Sequence, residues 1–285
     1  MVIAASIEKV RKISRKETKL GKIIGFVPTM GALHQGHLSL VRKARKECDF
    51  LIASIFINPT QFGVGEDYRS YPRNFSRDKK QLAAGGVDLL FSPGANTMYP
   101  SSGRTSVCAY ENDLSSRLCG KSRPGHFKGV CTILVKLFNI VRPDIAYFGQ
   151  KDYQQTLIVK KLVKDFNFPI RIKVLPIIRE TDNLAMSSRN AYLKGQARVS
   201  SRCLYQTLAL AKELIRLGQR DPKRVISQMK QLVKPRELAR IDYIEIVDAE
   251  NLKRVNRIKG KVLIALAVYI KKVRLIDNII LNVKK

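Results

Sequence analysis

The chain has 285 residues, enough for one large or two ordinary domains with a real core. Hydrophobic residues make up 45%, as in a globular protein, and the longest unbroken apolar run, VLIALAVYI at 262–270, is too short to span a bilayer. Fifty-three Lys and Arg against 23 Asp and Glu leave a net charge of +30. These charges are spread along the chain with no basic arm and no aromatic interleaving, which favours an anion-attracting surface over specific nucleic-acid binding.

The N-terminal stretch MVIAASIEKVRKISRK has an apolar patch too short for a signal sequence, and its charges follow that patch instead of preceding it. The expected location is the cytoplasm, with no membrane partner. The five cysteines are odd in number, widely spaced and without a C-x-x-C pair, so reduced, mostly buried thiols are expected in place of a disulfide framework or zinc knuckle.

In chain order, KIIGFV (22–27) reads as a buried strand, and HLSLVRKARKEC (37–48) as a helix with Val41, Ala44 and Cys48 on one face. FLIASIFIN (50–58) is a second buried strand, rich in β-branched and aromatic residues. SRDKKQLAA reads as a helix closed by Gly85 and Gly86, and VDLLF (87–91) as a third strand. The clearest helix covers 127–141, where Val130, Ile133, Leu134, Leu137, Phe138 and Val141 recur at helical spacing. Arg142-Pro143-Asp144 stops it. IAYFG (145–149), YQQTLIVKKLVKDF and IRIKVLPII (170–178) continue as strand, helix and strand. Continuous apolar strands separated by helices imply a parallel sheet covered on both faces.

After about residue 178 the pattern changes. Helical stretches at about 195–217 and 222–233 precede three strand-like runs, IDYIEIVD, KVLIALAVYI and VRLIDNIIL, joined by short polar connectors and expected to pair antiparallel. The expected architecture is α/β. A Rossmann-like parallel-sheet domain covers residues 1–177, and a smaller α+β C-terminal domain covers 178–285.

Ligands of an open parallel sheet sit beyond the carboxyl ends of its strands. The polar, Gly-rich segments fall at such places: PTMGALHQGH, NPTQFGVGEDYRSYPR, GQKDYQQ and RETDNLAMSSRN. In HQGH, Gly36 lets a ligand approach the backbone, and the following helix start offers free N–H groups and a positive dipole end suited to phosphate. His34 and His37 face one anion together in that reading. A metal pair is the rival, but no H-E-x-x-H and no third ligand accompany it. The common nucleotide loops fail: Gly120-Lys121-Ser122 has Ser115 where a P-loop needs its first glycine, and GVGEDY ends on Tyr68.

Six blocks in order, PTMGALHQGHLSL, NPTQFG, YPR, GHFKGV, FGQKDYQQ and AMSSRN, resemble the pantoate–β-alanine ligases, a branch of the nucleotidylyltransferase superfamily. They run from Phe26 to about Leu193. Val64 stands where that family commonly has Pro, and Asn183 where it commonly has Gly; Asn tolerates a left-handed backbone.

The resemblance implies a two-step reaction. ATP and pantoate form an enzyme-bound pantoyl adenylate and pyrophosphate, and the amine of β-alanine then displaces AMP to give pantothenate. It implies ATP as co-substrate with Mg2+, a C-terminal lid domain, and a homodimer. His34, His37 and Lys151 are the expected catalytic residues, with His37 the proton donor to pyrophosphate. ATP is expected on Met30, Gly31, Ala32, Leu33, His34, Gln35, Gly36 and His37, on Gly149, Gln150, Lys151 and Asp152, on Ile178, and on Met186, Ser187, Ser188 and Arg189.

Pantoate needs amides that both donate and accept, plus an apolar wall. Gln61 and Gln155 suit its hydroxyls and carboxylate, and Phe62 and Met30 its methyl groups. Gln61 is also expected near β-alanine. Asn58, Tyr71, Arg123 and His126 occupy family motif positions near the site. No metal site fixed by the protein is expected, with Asp78 the one candidate for a Mg2+-linked role. An enzyme that moves a nucleotide onto a phosphorylated acceptor shares the H-x-G-H device but has no need of NPTQFG and GHFKGV.

Overall fold

A computed structural model describes residues 1–100 and 107–284. In chain order the elements are β1 (Val2–Ala4), α1 (Ile7–Lys19), β2 (Ile24–Thr29), α2 (Gln35–Arg45), β3 (Phe50–Ile55), α3 (Phe75–Ala84), β4 (Leu89–Phe91), α4 (Ala95–Met98), α5 (Leu118–Ser122), α6 (His126–Val141), β5 (Ile145–Gly149), α7 (Tyr153–Asp165) and β6 (Arg171–Leu175). There follow α8 (Gln196–Ser201), α9 (Cys203–Arg216), α10 (Pro222–Val233), β7 (Ala239–Asp248), β8 (Gly260–Ile270) and β9 (Val273–Val283). They group into two compact units. The first is Met1–Ser115, Arg123–Gln150 and Gln155–Pro176; the second is Ser116–Ser122, Lys151–Gln154 and Ile177–Lys285.

The first unit is built on a six-stranded sheet of order β1-β4-β3-β2-β5-β6, parallel throughout. Its central strands are buried on both faces, so they read as continuous apolar runs without alternation. Ile24, Phe26, Val27, Leu51, Ile52, Ala53 and Tyr147 are closed to solvent. Gly25 lets the chain pass close by, since a Cβ there would lie 2.6 Å from the Cys48 sulfur. α6 starts after Gly125, at φ +80°, and ends at Arg142, whose left-handed backbone donates its N–H to the Phe138 carbonyl.

The parallel sheet with intervening helices is as the sequence implies, and several elements differ in their bounds, β6 among them, which covers Arg171–Leu175 of the expected 170–178. β1 and α1 add to the expected elements: β1 is a three-residue edge strand, and α1 lies within the basic N-terminal stretch. α1 starts at Ser6, whose side chain accepts the Lys9 N–H. α2 begins two residues earlier than the expected helix and ends at Arg45, so Cys48 lies beyond it, though buried. β3 stops at Ile55, where the chain turns into a 3-10 segment at Pro59–Gln61. The span 195–217 divides at Arg202 into α8 and α9.

In the second unit β7, β8 and β9 form an antiparallel sheet, with a register shift at Ile241/Tyr243. One sheet face packs on α9 and α10 through Leu204, Leu208, Ala211, Val225 and Met229 against Ile264, Leu266 and Val268. Asn183 adopts φ +68°, the left-handed backbone that its amide side chain tolerates.

Candidate active site

From β2 the first sheet grows to β3 and β4 on one side, while β5 and β6 extend it on the other. The order reverses between β2 and β5, which opens a crevice beyond their carboxyl ends. The loop after β2 and Gly149, the last residue of β5, stand at that point. A Cβ on Gly149 would meet nothing within 4 Å, so the backbone there is open to a ligand.

The loop is held from behind. The Thr29 hydroxyl donates to the Ser54 carbonyl at 2.7 Å and accepts the Gly31 N–H at 3.1 Å. Gly31 and Ala32 are both left-handed, at φ +80° and +49°. The buried Asp78 carboxylate accepts the N–H groups of Ala32 and Leu33, each at 2.8 Å. Both its oxygens are thus engaged by backbone, and a Cβ on Gly31 would come within 3.0 Å of one of them.

This hold places His34 at the N-cap of α2. Its Nδ1 accepts the Gly36 N–H at 3.1 Å, so the ring carries its proton on Nε2. His37 follows in the first helical turn, and the two ring centroids lie 4.1 Å apart. Gln35, between them, is exposed. Two imidazoles are presented together at the positive end of a helix with no acidic residue in its first turn.

A second group surrounds Gln61. Its side-chain Nε2 lies 2.9 Å from the Met30 sulfur, and its Oε1 accepts the Asn58 amide at 3.2 Å. Asn58 is buried; it donates to the Gly129 carbonyl at 3.1 Å and accepts from the Tyr99 hydroxyl at 2.8 Å. The Gln61 carbonyl accepts His126 Nδ1–H at 2.8 Å, and His126 Nε2 accepts from Arg123 at 2.9 Å. That arrangement fixes the His126 tautomer, because a guanidinium only donates. α6 approaches this turn so closely that a Cβ on Gly129 would lie 2.3 Å from the Thr60 carbonyl oxygen.

Arg123 is in turn gripped by Glu66 through two bonds of 2.6 Å. Burial pushes the Glu66 carboxyl up, but the guanidinium outweighs it and holds the group below its usual range. Nothing in the local sequence marks Glu66, since its partner stands 57 positions away. Phe62 meets the ring of buried Tyr71 edge-on at 5.9 Å, which gives Tyr71 a packing role beside the Gln61 turn. Gln155 is half-buried in the first turn of α7.

Gln150 closes a segment of the first unit, and the second unit holds Lys151, Asp152, Ile178 and Met186 to Arg189. Lys151 Nζ stands 3.8 Å from Asp152, whose side chain is half exposed. The Ile178 carbonyl accepts the Met186 N–H at 3.0 Å, which folds 178–186 into a hairpin-like arm bridged at Arg179 and Ala185. Ser187 caps the short 3-10 turn of Ser188–Tyr192 by accepting the Arg189 N–H at 3.3 Å. Met186, Ser187, Ser188 and Arg189 therefore sit together at the end of the arm.

Among the described residues no group of three or more His, Cys, Asp or Glu side chains is placed to hold a metal ion, and no helix is long and apolar enough to cross a membrane.

Comparison with known proteins identifies the family and the fold. Residues 2–280 match the model of the family described as Pantoate-beta-alanine ligase. The chain is 50% identical over 284 residues to the pantothenate synthetase of Caldicellulosiruptor bescii, covering all of both chains. It is 51% identical over 282 residues to that of Thermosipho melanesiensis, covering 99% of this chain and all of the relative. The crystal structure of pantothenate synthetase from Thermus thermophilus superposes with a TM-score of 0.92 at 40% identity, over the full length of both chains. A Francisella tularensis pantoate-beta-alanine ligase complexed with beta-gamma ATP and beta-alanine superposes with a TM-score of 0.79 at 37% identity, covering 98% of this chain and 97% of that one.

Proposed function

The chain belongs to the pantoate–β-alanine ligase family, and from that premise we propose how its own residues carry the reaction. The enzyme condenses pantoate with β-alanine, using ATP and releasing AMP and pyrophosphate. A pantoate carboxylate oxygen bonds to the α-phosphorus of ATP as the bond to pyrophosphate breaks. The β-alanine amine then attacks the acyl carbon, loses a proton, and AMP leaves.

The observation that carries the assignment is the His34–His37 pair at the crevice between β2 and β5. Charge builds on the phosphate oxygens as pyrophosphate departs, and donors fixed in advance lower that barrier most. His34 offers Nε2–H, with its other nitrogen held by Gly36. His37 supplies the proton to the leaving pyrophosphate. Lys151 adds a point charge. Met30 to Gln35 and Gly36 form the rest of the first phosphate loop, Gly149, Gln150 and Asp152 flank the ribose, and Ile178 lies along adenine. Met186, Ser187, Ser188 and Arg189 give hydroxyl and guanidinium donors.

Gln61 and Gln155 take pantoate, and Gln61 also serves β-alanine. Asn58, Arg123 and His126 act by holding Gln61, through its side chain and its carbonyl respectively. ATP is taken as its Mg2+ complex. Asp78 does not fit as a ligand of that ion, because both its oxygens accept backbone N–H groups; its part is to hold the phosphate loop.

Residues 1–177 form the nucleotide- and pantoate-binding domain and 178–285 the C-terminal domain in this reading. The enzyme is cytoplasmic and works as a homodimer, for which sedimentation should give twice the chain mass of 32.3 kDa.

Incubation with ATP, Mg2+, pantoate and β-alanine should release AMP only when β-alanine is present. Pantoate alone should yield pyrophosphate and an acyl adenylate. AMP formation indifferent to β-alanine would overturn the assignment.

A further inference from the structure

Strand β9 carries an apolar row toward α9 and α10 of its own unit: Val273, Leu275, Ile279, Leu281 and Val283. Asp277 takes the middle place in that row and is 2% exposed; its neighbour Asn278 is 3% exposed. Buried carboxylate and carboxamide groups are unfavourable in a strand unless each finds partners, and aliphatic side chains would pack better there.

Within the strand the Asp277 carboxylate accepts the Asn278 backbone N–H at 2.8 Å; the further partners lie outside the sheet. The Asp277 carboxylate accepts both terminal nitrogens of Arg179, at 2.7 and 3.0 Å. Arg179 also donates to the Asn183 carbonyl at 3.0 Å and lies over the Tyr205 ring at 4.7 Å. Asn278 donates its side-chain amide to the backbone carbonyl of Lys151 at 2.9 Å. Successive strand residues project to opposite faces, so one dipeptide reaches two separate segments.

We infer that Asp277 and Asn278 are positioning residues for the nucleotide. Asn278 fixes the backbone from which the Lys151 side chain extends. Asp277 fixes Arg179, and with it the arm that begins at Ile178 and ends at Met186–Arg189. The inference rests on the reading that Lys151 and this arm serve ATP.

The test uses the full-length enzyme and the adenylation half-reaction, pyrophosphate released from ATP and pantoate without β-alanine. Asn278→Asp keeps the volume and removes the donor. Its kcat/KM for ATP should fall by at least about tenfold, with the KM for pantoate changed less than about twofold. Asp277→Asn should show the same selectivity for ATP. In a Lys151→Ala background, Asn278→Asp should cost little more, because both changes disable one device.

If Lys151→Ala alone leaves the ATP kcat/KM intact, the phosphate role of Lys151 fails and this inference with it. If Lys151→Ala is damaging while Asn278→Asp is neutral, or the two losses add in full, that role stands and the positioning role falls. Loss of the folded state in both Asn278→Asp and Asn278→Leu would assign the residue to the sheet and overturn the inference as well.

Discussion

Asp78 and Leu33 are 45 positions apart in sequence, and a carboxylate oxygen of one accepts the backbone N–H of the other at 2.8 Å. The second oxygen takes Ala32 in the same way. Two left-handed residues in succession, one of them alanine, need such a brace. Asp78→Ala removes it and leaves two N–H groups without their acceptor. The expected cost is about 3 kcal/mol of stability, read by denaturant unfolding, together with loss of ATP-dependent turnover. An unchanged unfolding midpoint would show the loop holds itself.

The imidazole pair and Lys151 are expected to act on the transition state more than on folding. His37→Ala and Lys151→Ala should each lower turnover by about two orders of magnitude while the far-UV circular dichroism is preserved. Near-parental rates in either variant would remove that residue from the phosphate chemistry.

Gly129 meets the Thr60 carbonyl oxygen so closely that any side chain must displace the turn bearing Gln61. Gly129→Ala should cost about 1–3 kcal/mol and raise the KM for pantoate more than that for ATP. Steady-state kinetics with each substrate varied would show it; equal changes in both constants would argue against a local effect at Gln61.

The Glu66–Arg123 pair predicts an acid limb. The Glu66 carboxyl is held below its ordinary 4.5 by Arg123 despite burial, so its contribution to stability is full above that pH. The contribution is lost as the pH falls through the lowered value. Glu66→Gln should therefore flatten the fall of melting temperature below about pH 4.5. Parallel curves for the two proteins would rule this out.

The thiols differ in kind. Burial pushes Cys131 up to about 12 and Cys203 up to about 11, and raises Cys48 as well. Cys108 is exposed. A neutral-pH alkylating reagent should label the native protein once, at Cys108, and peptide mass spectrometry would locate the adduct.

Much of this was legible in the residues. The apolar runs of β2, β3 and β5 announced a sheet buried on both faces, and α6 announced itself by spacing. The place of HQGH at a helix start after β2 was legible because capping is local, and His34 is the N-cap of α2. Asn183 was likewise readable, since a left-handed backbone is a property of one residue.

What stayed hidden is non-local. β1 is too short to show a period and is a strand only because β4 pairs with it. Glu66 has its role from Arg123, and Asp78 from a loop on another element. The Asp-Asn pair inside VRLIDNIIL was a visible anomaly in an apolar strand, but nothing nearby in sequence named its partners.

The division into units has a consequence for how the chain matures. Ser116–Ser122 and Lys151–Gln154 belong with the C-terminal unit, so the chain passes between units five times. Ser122 bonds to Asp242 across 120 positions, Arg274 reaches Cys119 across 155, and Asn278 reaches Lys151 across 127. Such contacts close late, because long loops must be ordered first. During synthesis, the parallel sheet emerges long before β9 does. The segment bearing Lys151 waits for almost the last strand made, and a nascent chain cut short anywhere before Asn278 lacks its final fastening.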